Sequence, residues 1–292
     1  MRIPVIQGGF RQVIPSIPPG HSGKWFTNDH TFIHAHDGRW HCIGINNPDP
    51  QDYELLYREH PYLLHASASD PLGPWTHHGF ALDDSQDQRY LGAPFVVRHG
   101  QRYLMMVEAM WNGRRGLEIA TSDDLHHWTR DRQEVITNQP PARRDPCIIR
   151  NPNADNWLIY LCIPDEDGHS SITVCTTPDF REYSDPRVVL TLQDHCNWGS
   201  LESPFVVIRD GVFFLFFTNS MNHYRETVVI ASQTHDRFDW ADQITTLHAH
   251  AAEVIHDPHA DAWYISSCGP EDVKPNCEGG IELARLVWLD AA

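Results

Sequence analysis

The sequence predicts an all-β fold, a five-bladed β-propeller, on three observations. Five short passages repeat along the chain, opening at Asp29, Gly92, Asp145, Glu202 and His250, 48 to 63 residues apart. Self-similarity at a period near 40–50 residues marks propellers and solenoids. Within each unit, short apolar runs are joined by tight turns, as antiparallel hairpins require. Helix signals are nearly missing, because 21 Pro and 18 Gly interrupt most windows long enough for a helix.

The elements follow in order. In the first unit Phe32-Ile33 leads through the Asp37-Gly38 turn into an apolar run over 40–45. In the second, Phe95-Val96-Val97 leads through Gly100 into 103–107. The third opens on Asp145-Pro146-Cys147-Ile148-Ile149. In the fourth, 205–208 leads through Asp210-Gly211 into 212–217, and the fifth opens on His250-Ala251-Ala252-Glu253-Val254. A third strand is expected over 62–67, 116–122, 171–176 and 227–232. Each third strand runs into a polar turn closed by an aromatic ring, at Trp75, Trp128, Tyr183 and Trp240, and an outer strand fits after it, as over 76–82 or 129–136. Four antiparallel strands repeated around an axis make a propeller blade. A β-sandwich would share the regular turns but has no reason to repeat the aromatic closure. Residues 1–24 read as an N-terminal arm that closes the ring or covers one face, and 25–292 as a single propeller domain.

Composition narrows the function. The net charge is −17, from 22 basic and 39 acidic residues, which argues against a surface that tracks nucleic-acid phosphates. Uncharged ligands such as sugars are compatible with it. With 20 His the charge changes strongly between pH 7 and pH 5. The N-terminal residues contain no apolar core of signal-peptide length, and the strongest apolar run, 212–217, is too short to span a membrane. Seven Cys without a CxxC pair suggest reduced thiols and a cytoplasmic location; Cys268 and Cys277 are the pair open to a disulfide in an exported protein.

Asn28-Asp29 in the first blade, Arg144-Asp145-Pro146 in the third and Glu202-Ser203-Pro204 in the fourth resemble the five-bladed propeller glycoside hydrolases. These are the arabinanase and β-xylosidase group, family 43, and the invertase and levanase group, family 32. The resemblance covers roughly residues 25–290. Arg144-Asp145-Pro146 matches the invertase group. That group typically has Asn-Asp-Pro-Asn-Gly where this chain has Asn28-Asp29-His30-Thr31-Phe32, Glu-Cys-Pro where it has Glu202-Ser203-Pro204, and a C-terminal β-sandwich that it lacks. The resemblance implies a triad of Asp29, Asp145 and Glu202 gathered at the axis. Glycoside cleavage needs one protonated carboxyl at the leaving oxygen and one ionised carboxylate on the other face of the sugar. Glu202 is then the general acid, and Asp29 the general base or the nucleophile. Asp145 orients the sugar and tunes Glu202, since crowded like charges push pKa values apart.

Around the triad, Asn28, His30, Arg144 and His250 are expected to bind substrate. So are residues on the rim loops: Trp25, Trp111 and Trp198 as stacking faces, and Glu108, Asn219 and His223 as polar contacts. Glu118 is placed to point inward. In the arabinanase group a last-blade His helps hold a central metal or water, so His250 is the candidate ligand for a possible axial calcium or other metal ion; no cofactor is required. His30, His34, His36 and His41 read as surface histidines near the Asp37-Gly38 hairpin rather than as a zinc site. The expected reaction is release of terminal arabinofuranosyl, fructofuranosyl or xylosyl units from a small oligosaccharide. The alternatives are a non-catalytic carbohydrate-binding propeller, or glycosyl transfer or phosphorolysis on the same scaffold, the last drawing on Arg143-Arg144 and His250.

Overall fold

The computed structural model describes residues 2–48, 60–87, 90–111, 114–136, 143–192, 200–220, 225–268 and 279–291. They form five four-stranded antiparallel sheets arranged as blades. The chain opens with β1 (Arg2–Ile14). Blade one is β2 (Trp25–His34), β3 (Trp40–Pro48), β4 (Tyr62–Ala68) and β5 (Thr76–Asp83). Blade two is β6 (Leu91–His99), β7 (Arg102–Trp111), β8 (Arg114–Ser122) and β9 (Thr129–Arg130). Blade three is β10 (Arg144–Arg150), β11 (Trp157–Cys162), β12 (Ser170–Thr177) and β13 (Arg187–Leu192). Blade four is β14 (Leu201–Arg209), β15 (Val212–Asn219), β16 (Glu226–Ser232) and β17 (Gln243–His248). Blade five holds β18 (Val254–Asp257), β19 (Ala262–Cys268) and β20 (Ile281–Asp290), and β1 pairs with β20 as its outer strand. Among the described residues the one helical element is a single 3-10 turn, Trp240–Asp242.

The blades hold together by apolar burial between their faces. The largest cluster runs through blades two, three and four, from Met106 and Leu117 through Tyr160 and Ile172 to Leu215 and Phe217. A second cluster joins blade one to blade two, and two further clusters join blade five to blades four and one. Burial of this kind contributes roughly 25 cal/mol per Å² of apolar surface removed from water.

The aromatic-closed turn has a polar reason for recurring. In blade two Ser122 Oγ accepts from the Leu125 amide at 2.8 Å, and Leu125 takes a left-handed conformation, φ 66°. The Trp128 indole then donates to the Leu125 carbonyl at 3.0 Å. Blade three repeats the device with Thr177 Oγ1, Phe180 at φ 61° and the Tyr183 hydroxyl donating to the Phe180 carbonyl at 2.8 Å. Each ring buries its body and satisfies its tip on the turn. In blade four Trp240 reaches instead to the Thr191 carbonyl of blade three, at 2.9 Å, and ties neighbouring blades.

The outer strand of blade two is shorter than the expected 129–136. After Asp131, whose amide still donates to the Ile119 carbonyl at 2.9 Å, the chain leaves the sheet, with Arg132 and Ile136 both at positive φ, and returns to it through the Leu117–Val135 bridge. Ion pairs compete with the ladder there: Arg132 bonds Asp87, and Glu134 bonds the buried Arg143. Glu118 does not point inward as expected; it is fully buried on β8 and paired with Arg130, which also holds Asp84 at 2.6 Å. The five described cysteines are buried and unbonded; Cys277 lies outside the described residues.

Deleting Arg2–Ile14 removes the outer strand of blade five, bares the edge of β20 and takes away the buried Ile14 side chain, which is 1% exposed. Thermal unfolding by circular dichroism is expected to fall by ~10 °C or more, with aggregation through the bared edge.

Candidate active site

All five inner strands carry the same irregularity near their first residues. The register slips by one residue between Thr27 and His30, Leu91 and Pro94, Arg144 and Cys147, and Glu202 and Phe205. In blade five the corresponding bonds run from Cys268 N to His250 O and from Ser266 N to Glu253 O, which spans the same slip. A slip of this kind is a β-bulge, two residues facing one. Its first residue is left-handed in three blades: Asp145 at φ 55°, Ser203 at φ 51° and Ala251 at φ 46°. The five opening residues therefore do not share one register. Glu202 and His250 stand just before the bulge, Gly92 and Asp145 at its first position, and Asp29 at its second.

The bulges bring the three acids into one chain of hydrogen bonds and ion pairs. Ser203 Oγ donates to Asp29 Oδ1 at 2.5 Å, and the Ser203 amide donates to Asp145 Oδ2 at 3.0 Å. Arg144 pairs with that same Asp145 oxygen and lies 3.5 Å from Glu202 Oε2, while its other amino group donates to the Leu201 carbonyl at 2.9 Å. Asp145 and Arg144 are buried; Asp29, Glu202 and Ser203 are half-buried and face the opening. Beneath them the axis narrows to a cavity of about 20 Å³, lined by His30, Pro94, Pro146, Pro204 and Glu253 among others. That is room for about one water molecule.

Electrostatics set the protonation states. Burial, then the charge of Asp145, pushes the Asp29 carboxyl up to about 7, against the Ser203 hydrogen bond. Burial pushes Glu108 up to about 7 as well, against the pull of Arg115, 3.9 Å away. Glu253 is raised far above the usual carboxylate range by burial, although the Phe32 amide donates to it at 2.8 Å. Burial disfavours the charge on Arg144, but Asp145 and the other carboxylates more than offset it, so the guanidinium stays charged.

The remaining expected residues divide. Glu108 lies beside the triad, accepting from the Tyr90 hydroxyl at 3.1 Å, and a side chain at Gly92 would collide with its carboxyl. That collision is why blade two offers no side chain at this position. Asn28 and His250 meet each other, Asn28 Oδ1 to His250 Nε2 at 3.0 Å. His30 turns toward blade five, Nε2 to Ser266 Oγ at 2.8 Å, and burial lowers its pKa to about 4. Asn219 is buried and pairs with Leu201 one step before Glu202. Trp25 is not brought to the acids; it is buried against Tyr62 and Phe80 of the outer strands. The Trp111 side chain, Trp198 and His223 lie outside the described residues. Sequence reasoning missed Ser203, Tyr90, Arg115 and Glu253. The bulge offered one signal, a small polar residue ahead of Pro204.

Among the described residues His250 belongs to no ready-made cluster of metal ligands. With Asn28 Oδ1 accepting, His250 Nε2 carries the proton in this arrangement and the lone pair lies on Nδ1. Cys268 Sγ also donates to that oxygen, at 3.6 Å.

A family model described as the glycosyl hydrolases family 32 N-terminal domain matches residues 22–253. No curated protein matches the chain in sequence. Solved structures share its fold. A β-xylosidase matches with a TM-score of 0.71 at 13% identity, over 97% of this chain and 96% of its own. An endo-arabinase from Bacteroides thetaiotaomicron matches at 0.69 and 14%, over 95% and 98%. A family 43 β-xylosidase/α-arabinofuranosidase from a compost metagenome, solved with xylotriose in a calcium-free form, matches at 0.69 and 12%, over 97% and 96%.

The raised Asp29 carboxyl has a consequence for stability. Its ordinary value is 3.8 and its folded value about 7. Its contribution to stability is thus full below pH ~4 and is lost as pH rises toward 7. Asp29→Asn, which cannot ionise, is expected to be more stable than wild type at pH 8, by on the order of 1–4 kcal/mol, and close to it at pH 4. Urea unfolding at both pH values measures the difference.

Proposed function

The chain belongs to glycosyl hydrolases family 32 and is a glycoside hydrolase of the propeller type, and from that premise we propose that it releases terminal furanosyl units, fructofuranosyl first among them, from short oligosaccharides. The reading rests on one observation: the unbroken contact chain Asp29–Ser203–Asp145–Arg144–Glu202 at the open end of the axis. It gathers three carboxylates of different exposure around a fixed cation, which a binding site alone does not need.

In this reading Glu202 gives its proton to the leaving oxygen. Arg144 would by itself favour an ionised Glu202, but Arg144 is closely paired with Asp145, which leaves Glu202 the weaker interaction at 3.5 Å. Asp29 acts from the other face of the sugar. Ionised, it attacks the anomeric carbon, or it takes a proton from a water that does. Asp145, held by Arg144 and the Ser203 amide, accepts hydrogen bonds from sugar hydroxyls, and Glu108 with Tyr90 lines the same end. No step needs a metal at His250, so a chelator is expected to leave turnover unchanged.

Sucrose, a short fructan, an aryl α-L-arabinofuranoside and an aryl β-D-xyloside form the test panel. Turnover of a fructofuranoside, falling by roughly 10³-fold or more in Asp29→Asn and Asp145→Asn, is the expected result. Turnover of none, with sugars still bound, would instead support the carbohydrate-binding reading. Glu202→Gln should lose roughly 10²–10⁴-fold on natural substrates and far less on aryl glycosides, whose leaving groups need no proton.

The pH profile provides a second test. Asp29 must be ionised to act, so kcat/KM should rise toward neutrality with a limb near 7, the value set by its burial. Ser203→Ala removes the hydrogen bond that lowers this pKa, and the limb should move to higher pH.

A further inference from the structure

We propose that His41, His65 and His126 form a binding site for a divalent transition ion of the Zn²⁺ type, between blades one and two and away from the triad. One ring nitrogen of each residue lies within 4.8 Å of the others. His41 is the second residue of β3 and His65 lies in β4, both almost fully buried; His126 sits in the aromatic-closed turn of blade two and is exposed. The site thus has two fixed ligands and a third at its mouth. It lies at the hairpin end of the inner strands, beside Asp37, whereas the acids lie at their opening end.

The hydrogen bonds prepare these nitrogens. His41 Nε2 donates to Asp37 Oδ2 at 3.2 Å, which places the lone pair on Nδ1. A carboxylate behind a ligating imidazole is the usual support of a metal-bound histidine. His41 Nδ1 faces His65 Nε2 at 2.8 Å. On binding, the proton on His65 Nε2 moves to its Nδ1, and both facing nitrogens offer lone pairs to the ion. Zn–N bonds of about 2.0–2.1 Å in a tetrahedron set the nitrogens roughly 3.3 Å apart. The buried pair opens slightly and His126 swings inward, which its exposed turn allows. The His78 ring completes the group, 4.9 Å from His65 and 4.8 Å from His126, with Nε2 held by Ser67 Oγ at 2.8 Å. Arg39, bonded to Ser67 Oγ at 3.2 Å, opposes a cation, and Asp37 compensates for it. Burial and mutual repulsion lower the pKa of His65 to about 2 and also lower those of His41 and His78, so all three are neutral at pH 7. Neutral imidazoles suit Zn²⁺, Cu²⁺ or Ni²⁺ better than Ca²⁺ or Mg²⁺.

Such an ion would staple blade one to blade two. The test titrates the chelator-treated full chain with Zn²⁺ at pH 7.5 by calorimetry, follows thermal unfolding, and records the visible spectrum with Co²⁺. The expected result is one tight equivalent, a higher Tm with Zn²⁺, tetrahedral Co²⁺ bands, and unchanged turnover. His126→Ala, at an exposed position, should fold normally, weaken binding tenfold or more and lose the Co²⁺ bands. His65→Asn gives a second reading from the buried side, and His235→Ala, in blade four, should change nothing. No stoichiometric binding, or equal binding by His126→Ala and wild type, would overturn the proposal, the latter placing the ion on another of the 20 His.

Discussion

The axis depends on a break in β-strand alternation. In a regular strand, neighbouring side chains point to opposite faces, so consecutive residues cannot serve one site. The bulge repeated in all five inner strands removes that limit. Asn28 with Asp29, Arg144 with Asp145, and Glu202 with Ser203 all enter the central network as adjacent pairs. Five strands thereby supply more than five functional groups to a narrow opening. Left-handed backbone at Asp145, Ser203 and Ala251 accompanies the break. Non-glycine residues adopt that conformation at a cost of roughly 1–3 kcal/mol, and surrounding structure must hold them there.

The crowding that results is partly unfavourable, and the fold limits it by neutralising rather than dispersing charge. Arg144 answers Asp145, Ser203 answers Asp29, and Glu253 is kept protonated deeper along the axis. Pro146 and Pro204 complete the bulges of blades three and four, where no ladder amide is required. The site is therefore rigid where charge is concentrated, at the buried Asp145–Arg144 pair, and half-open at Asp29 and Glu202.

Much of this was legible in the chain. Blade number, hairpins and aromatic-closed turns follow from local chemistry that repeats: a hydroxyl, a left-handed residue and a ring with a donor at its tip. The three acids were legible because bulky apolar residues follow each at similar spacing. The bulge register was not, since a one-residue slip leaves hydrophobic patterning almost unchanged. Ser203 and Glu253 were hidden for the same reason: their roles depend on which strand stands across the axis. Trp25 shows the converse. Its position beside Asp29 suggested a stacking face, but the Tyr62 and Phe80 rings it packs against are distant in sequence and close only once blade one is folded. The outer strand of blade two was overestimated because the Arg132 and Glu134 ion pairs have partners in other segments.

The pairing of β1 with β20, Arg2 opposite Asp290, also governs how the ring is assembled. During synthesis β1 emerges well before its partner β20, so it waits without its ladder while four blades form. Among the described residues ring closure is consequently the strand pairing of greatest sequence separation, and loop-closure entropy places such contacts late in folding. Until then the nascent propeller is an open arc whose fifth blade is one strand short, and the docking of β1 onto β20 completes it.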